Sequence, residues 1–100
     1  MTVHIEDRPD DQRYSDGSTL TQWLVKLGAP ALPEGHSYRL EFAEGGMVKP
    51  MEVTATIHVQ ECGLIHQKAS YTERTRSNAM GAAVAAAKRA HEVGGYERLA

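Results

Sequence analysis

The sequence predicts an α+β fold: an αβββα two-layer sandwich in which a three-stranded antiparallel sheet carries two helices on one face. Three observations predict it. Leu20, Trp23, Leu24 and Leu27 recur at helical spacing ahead of any strand signal. Three later segments alternate apolar and polar residues, so their sheet is covered on one side only, the condition an antiparallel sheet tolerates. An alanine-rich helical segment follows. Each helix has one apolar face and so does the sheet, and placing both helices on the same side buries all three.

The first helix is expected in "STLTQWLVKLG". Thr19 with Gln22 three residues on fits a capping box, and Gly28 followed by Pro30 marks the stop. Pro30 and Pro33 stiffen the loop "APALPEG". In "HSYRLEFA", Tyr38, Leu40 and Phe42 share one face while Ser37, Arg39 and Glu41 share the other. After the loop "EGGMVKP", a second strand places Met51, Val53, Ala55, Ile57 and Val59 inward, with Glu52, Thr54, Thr56 and His58 outward. The third, "LIHQKASYT", has Ile65, Ala69 and Tyr71 on one face.

The last element is "SNAMGAAVAAAKRAHEVGG". Alanine gives it high helix propensity, Ser77 is the expected N-cap, and Gly94 and Gly95 end it. Met80, Val84, Ala87 and His91 form the expected buried stripe, with Ala83 and Ala90 beside it. Met80 and Val84 are then the expected anchors, each contributing about 1.5–3 kcal/mol if fully buried.

One hundred residues make one domain. Residues 1–17 read as a flexible acidic leader and 18–100 as a single α+β domain. Up to Gly17 the acids Glu6, Asp7, Asp10, Asp11 and Asp16 face only Arg8 and Arg13. Val3 and Ile5 alternate with polar residues and could add a short edge strand. The formal net charge is −2, and the folded part is near neutral, unlike the basic domain of a strong nucleic-acid binder. A lone cysteine, Cys62, forms no internal disulfide and makes a reducing, cytoplasmic compartment the expectation. The N-terminus has no signal-peptide pattern, and no apolar run approaches a membrane span.

The order of elements resembles the double-stranded-RNA-binding-domain fold over Ser18 to about Val93. The shared features are a Leu-rich first helix, a Pro-containing loop before a strand with Tyr38, a Gly-ended turn between the second and third strands, and "RSNAMGAAVAAAKRA", a small-residue helix opening after a serine. The resemblance implies phosphate contacts at the start of that helix. The sequence departs from the pattern there: the family's lysine cluster is missing from "SNAMGAA", and "EGGMVKP" lacks its Gly-Pro-x-His.

Two candidate surfaces stand out. Arg74 and Arg76 precede the last helix, where Ser77, Asn78 and free N–H groups favour an anion and Lys68 adds charge. The second is "HVQECGLIH". A three-residue loop at Glu61, Cys62 and Gly63 would pair Val59 with Ile65 and Ala55 with Ala69, and would set His58 across from His66 on the outward face. A two-residue turn at Cys62 and Gly63 would instead set Val59 against His66. The longer loop is expected because it keeps the apolar set together. Thr56, His58, His66 and Lys68 then form a polar interaction surface. No metal site, cofactor or catalytic constellation is expected. The expected function is a non-catalytic binding module acting by protein–protein contact with a protein partner or a second copy. Nucleic-acid binding through Arg74 and Arg76 is the alternative.

Overall fold

Six elements follow one another: β1 (Thr2–Glu6), α1 (Leu20–Lys26), β2 (His36–Ala43), β3 (Met51–Glu61), β4 (Leu64–Thr75) and α2 (Ala79–Val93). The computed structural model describes residues 2–6, 19–43 and 49–95. The helix, three antiparallel strands and helix stand in the expected order. The sheet gains a fourth strand, in the order β1-β2-β3-β4. β1 comes from the segment expected as a leader, and it pairs with β2 from Thr2 against Ala43 to Glu6 against Arg39. Its alternation explains the register: Val3 and Ile5 fall opposite Phe42 and Leu40, the inward positions of β2. The rest of that segment, residues 7–18, lies outside the described residues.

α1 begins as its sequence dictates. The Thr19 hydroxyl accepts from the Gln22 N–H at 3.2 Å, and the Gln22 side-chain oxygen accepts from the Thr19 N–H at 2.9 Å, so two otherwise orphaned donors are satisfied. Its end is a Schellman motif. Gly28, at φ 119°, donates to the Val25 carbonyl and Ala29 donates to Leu24. Leu24 and Ala29 then pack together in the core.

Tyr38 ties this end of the chain to the sheet. It is fully buried. Its hydroxyl donates to the Pro30 carbonyl at 2.6 Å, and its backbone N–H donates to the Thr21 hydroxyl at 2.9 Å. The remaining core is the inward set of the strands, with Leu40, Val53, Ala55, Ile57 and Val59 all buried as the alternation predicts.

α2 differs from expectation in its rotation. Ala82, Ala83, Ala86, Ala87 and Ala90 are the buried residues, whereas Met80 is 37% exposed and Val84 only packs at the margin. The buried face is turned from the expected stripe by about one residue, roughly 100°. Methyl groups let the helix lie close over Val53, Ala55 and Ile57, and the longer side chains are displaced to its flank. The N-cap is Asn78 rather than Ser77: its Oδ1 accepts from the Gly81 N–H at 2.9 Å. Ser77 is drawn instead into a turn in which the Thr75 hydroxyl accepts from the N–H groups of Ser77 and Asn78.

The β3–β4 hairpin also departs from expectation. Glu61 pairs with Leu64, and Cys62 and Gly63 alone make the turn, at φ 52° and 78°. Two positive φ values are what a type I′ turn requires, and its twist matches that of the strands. The register conflict that argued against this turn is real, because Val59 does face His66. A bulge resolves it. His58 pairs with Gln67 but Ile57 pairs with Ala69, so Lys68 is the extra residue. Beyond it Ala69, buried opposite Ile57, and Tyr71, packed against the core opposite Ala55, return to the inward side.

Candidate binding surface at the sheet edge

β4 is the outer strand of the sheet on the side away from β1. Leu64, Ile65, His66, Gln67 and Lys68 are all exposed, and Leu64 and Ile65 are each 62% exposed. The helical layer does not reach them. α2 runs back along β4, and the Arg89 guanidinium lies 5.5 Å from the centroid of the Tyr71 ring. From there the helix continues about 6 Å to Val93, while β4 extends about 23 Å back to Leu64. No other element among the described residues therefore covers the corner of the sheet. It offers an open strand edge flanked by two large apolar side chains that neighbouring positions direct to opposite faces.

The bulge divides this edge. It leaves Lys68 without a cross-strand partner position and increases the local twist. A lysine and a bulge together discourage open-ended sheet stacking. The Leu64–Gln67 stretch, free of formal charge, lies on the turn side of that break.

The four residues expected as one polar surface are not on one face. Thr56 and His58 are half-buried on the outward side. His66 is opposite Val59, an inward position, and so lies on the other side of the sheet. The expected cross-strand pair of His58 with His66 is thus corrected to His58 with Gln67, and the shorter turn is the cause. No cluster of metal-binding side chains occurs among the described residues.

The anion-binding candidates are also dispersed. Arg74 is engaged by Glu52 at 3.0 Å on the outward face, an exposed pair contributing at most about 1 kcal/mol. Arg76 is exposed beyond the strand. Lys68 lies about 20 Å from Arg74 along β4. At the helix start the Gly81 N–H is taken by Asn78, and the N–H groups of Ser77 and Asn78 turn back to Thr75. On the helix, a hydrogen bond to Glu92 raises the Arg89 pKa, and Arg89 is a fixed cation over Tyr71.

An open apolar groove of about 330 Å³ lies between the end of α1 and the flank of α2, lined by Leu27, Met80, Gly81, Val84, Ala85 and Lys88. It forms because the rotation of α2 moves Met80 and Val84 out of the core. No helix among the described residues is long and apolar enough to cross a membrane.

The alternation pattern hides the Leu64–Ile65 corner, since it assigns Ile65 inward. One signal was available: two adjacent large apolar residues cannot both face the same side of a strand. Comparison with protein-family models, with curated proteins and with solved structures gives no match.

Proposed function

We propose that this chain is a non-catalytic protein-binding module that takes an extended segment of a partner along β4, with Leu64 and Ile65 as the apolar anchors. One observation carries the reading: the uncovered corner of the sheet joins an open strand edge to two side chains that are each 62% exposed. Strand addition draws affinity from main-chain hydrogen bonds and specificity from the alternating side chains beside them. An edge of this kind is a liability unless it is blunted or used, and the bulge at Lys68 leaves the Leu64–Gln67 stretch on its turn side without a lysine of its own. The partner is a foreign protein or a second copy.

The likeness to the double-stranded-RNA-binding fold rests on the order of the elements, and fold alone does not carry function. The scattered cations, and a start of α2 where Asn78 already takes the Gly81 N–H, give duplex binding less support than the edge has.

The test compares the native chain with the double variant Leu64→Lys/Ile65→Lys. Sedimentation velocity from about 10 μM to about 1 mM reads self-association across the corresponding affinity range, and cross-linked capture reads foreign partners. Association or capture lost in the variant supports the reading. Identical behaviour of the two chains contradicts it. Binding to duplex RNA at roughly 50 mM salt that persists in the double variant and disappears with Arg76→Ala would favour the nucleic-acid alternative.

A further inference from the structure

The groove between the end of α1 and the flank of α2 is apolar along its length and cationic at one end. Met80 and Val84 stand one turn apart on α2, and Leu27 borders them from the α1 side. Leu27 and Met80 are exposed. Gly81 and Ala85, also one turn apart, carry so little side chain that the helix surface is low there. Lys88 is the one charged residue of the lining. Among the described residues it has no hydrogen-bond or ion-pair partner. The acid one turn farther along the helix, Glu92, is held by Arg89 at 3.2 Å. From Met80 to Lys88 the groove follows α2 for about 12 Å, a little over two helical turns.

We propose that this groove takes a short amphipathic helix of a foreign protein, with its apolar residues against Leu27, Met80 and Val84 and an acidic residue at Lys88. Three features select that occupant. The groove is open, so a small molecule would keep one side in water, whereas small-molecule sites bury about 70–90% of their ligand. The side of a helix presents no unpaired N–H or C=O, so an extended segment gains no main-chain bonds from it, whereas a helix arrives with its own already made. A second copy brings no acid: neither Leu20–Lys26 nor α2 from Ala79 to Ala90 contains Asp or Glu. Two copies meeting here would leave Lys88 facing further cations, and charge complementarity is what excludes wrong partners. The groove shares no residue with β4, so it stands or falls independently of the strand edge proposed above.

The test uses a displayed library of helix-forming peptides of about 16 residues, long enough to hold a helix. Peptides are selected on the native full chain and counter-selected on Leu27→Lys/Met80→Lys, a pair of exposed positions. The survivors are expected to carry apolar residues at i and i+3 or i+4 with an acid within the next two turns. By fluorescence anisotropy with the synthetic peptides, Lys88→Glu is expected to weaken binding about fivefold or more. Replacing the peptide's acid by lysine is expected to weaken binding to the native chain similarly, and to restore it to Lys88→Glu. That rescue also shows the variant to be folded. Leu64→Lys/Ile65→Lys is expected to bind the same peptides as the native chain does. The proposal is overturned if no peptide depends on Leu27 and Met80, if the dependent peptides show no preference for an acid, or if Lys88→Glu binds them as tightly as the native chain. Peptides lost with Leu64→Lys/Ile65→Lys would place their binding on β4 and likewise overturn it.

Discussion

The rotation of α2 makes a prediction that inverts the ordinary ranking of core positions. Ala86 is fully buried and faces the sheet with Ala82, Ala83, Ala87 and Ala90, whereas Met80 is 37% exposed at the rim of the groove. Ala86→Leu adds three carbons where the helix lies against Val53, Ala55 and Ile57. Overpacking of a close-packed core costs about 1–3 kcal/mol, and the new side chain lifts the helix from the sheet along its length. Met80→Ala removes a side chain that already keeps more than a third of its surface in water and borders open space. Its cost therefore falls below the usual range of about 2–5 kcal/mol for a buried methionine, near 1 kcal/mol. Urea unfolding followed by far-ultraviolet circular dichroism separates the two. With a slope of about 1–1.5 kcal/mol per molar for a chain this size, Ala86→Leu moves the midpoint down by about 1–2 M and Met80→Ala by less than about 1 M. If Met80→Ala costs more than Ala86→Leu, the buried face is the one expected from the Met80–Val84 stripe and the close alanine packing described above is wrong.

Three further outcomes follow from single contacts. Tyr38→Phe removes the 2.6 Å bond to the Pro30 carbonyl while keeping the ring, and the part-buried acceptor left behind makes the loss about 1–3 kcal/mol by the same urea titration. Cys62→Asn relieves a side chain held at φ 52° and creates the Asn-Gly pair that a type I′ turn prefers, so the melting temperature rises by an amount corresponding to about 1 kcal/mol; a fall would mean the turn is not of this type. Deleting Lys68 makes the His58–Gln67 and Ile57–Ala69 pairs consecutive and leaves stability within about 1 kcal/mol of native. Deleting Ser70 instead forces Lys68 opposite Ile57 and unfolds the hairpin, since a one-residue slip reverses the faces.

The elements that the sequence makes legible are those whose period, caps and breakers agree. The Thr19 capping box, the Gly28 stop, and the inward sets Tyr38–Leu40 and Val53–Val59 were all readable from spacing alone. β4 was readable only in part, because the rule of keeping apolar residues on one face was applied as if a hairpin had a single register. The chain satisfies a turn of two residues and a core farther on at once by inserting Lys68, and a bulge has no periodic signature. The face of α2 was ambiguous for a related reason. A helix that is mostly alanine has a weak apolar direction, and packing distance rather than hydrophobic mass decides which side is buried. The same two ambiguities conceal the candidate surfaces: the bulge governs where Ile65 points, and the helix rotation places Met80 and Val84 on the groove. The charge pattern, in contrast, pointed to Arg74 and Arg76 without showing that Glu52 engages one of them.

The claim that β4 is a strand-accepting edge is tested most directly by amide hydrogen exchange over Leu64–Lys68, read residue by residue in the free chain and in the assembled one, whether assembled with a captured partner or at high concentration. The account predicts that outward-facing amides of this stretch, fast in the free chain, become protected on assembly in the alternating pattern of a newly formed antiparallel or parallel ladder, and that Leu64→Lys/Ile65→Lys abolishes the change. Assembly that leaves the Leu64–Lys68 amides as fast as before, while protection appears on α2 or on the outward face of β2 and β3, would contradict it.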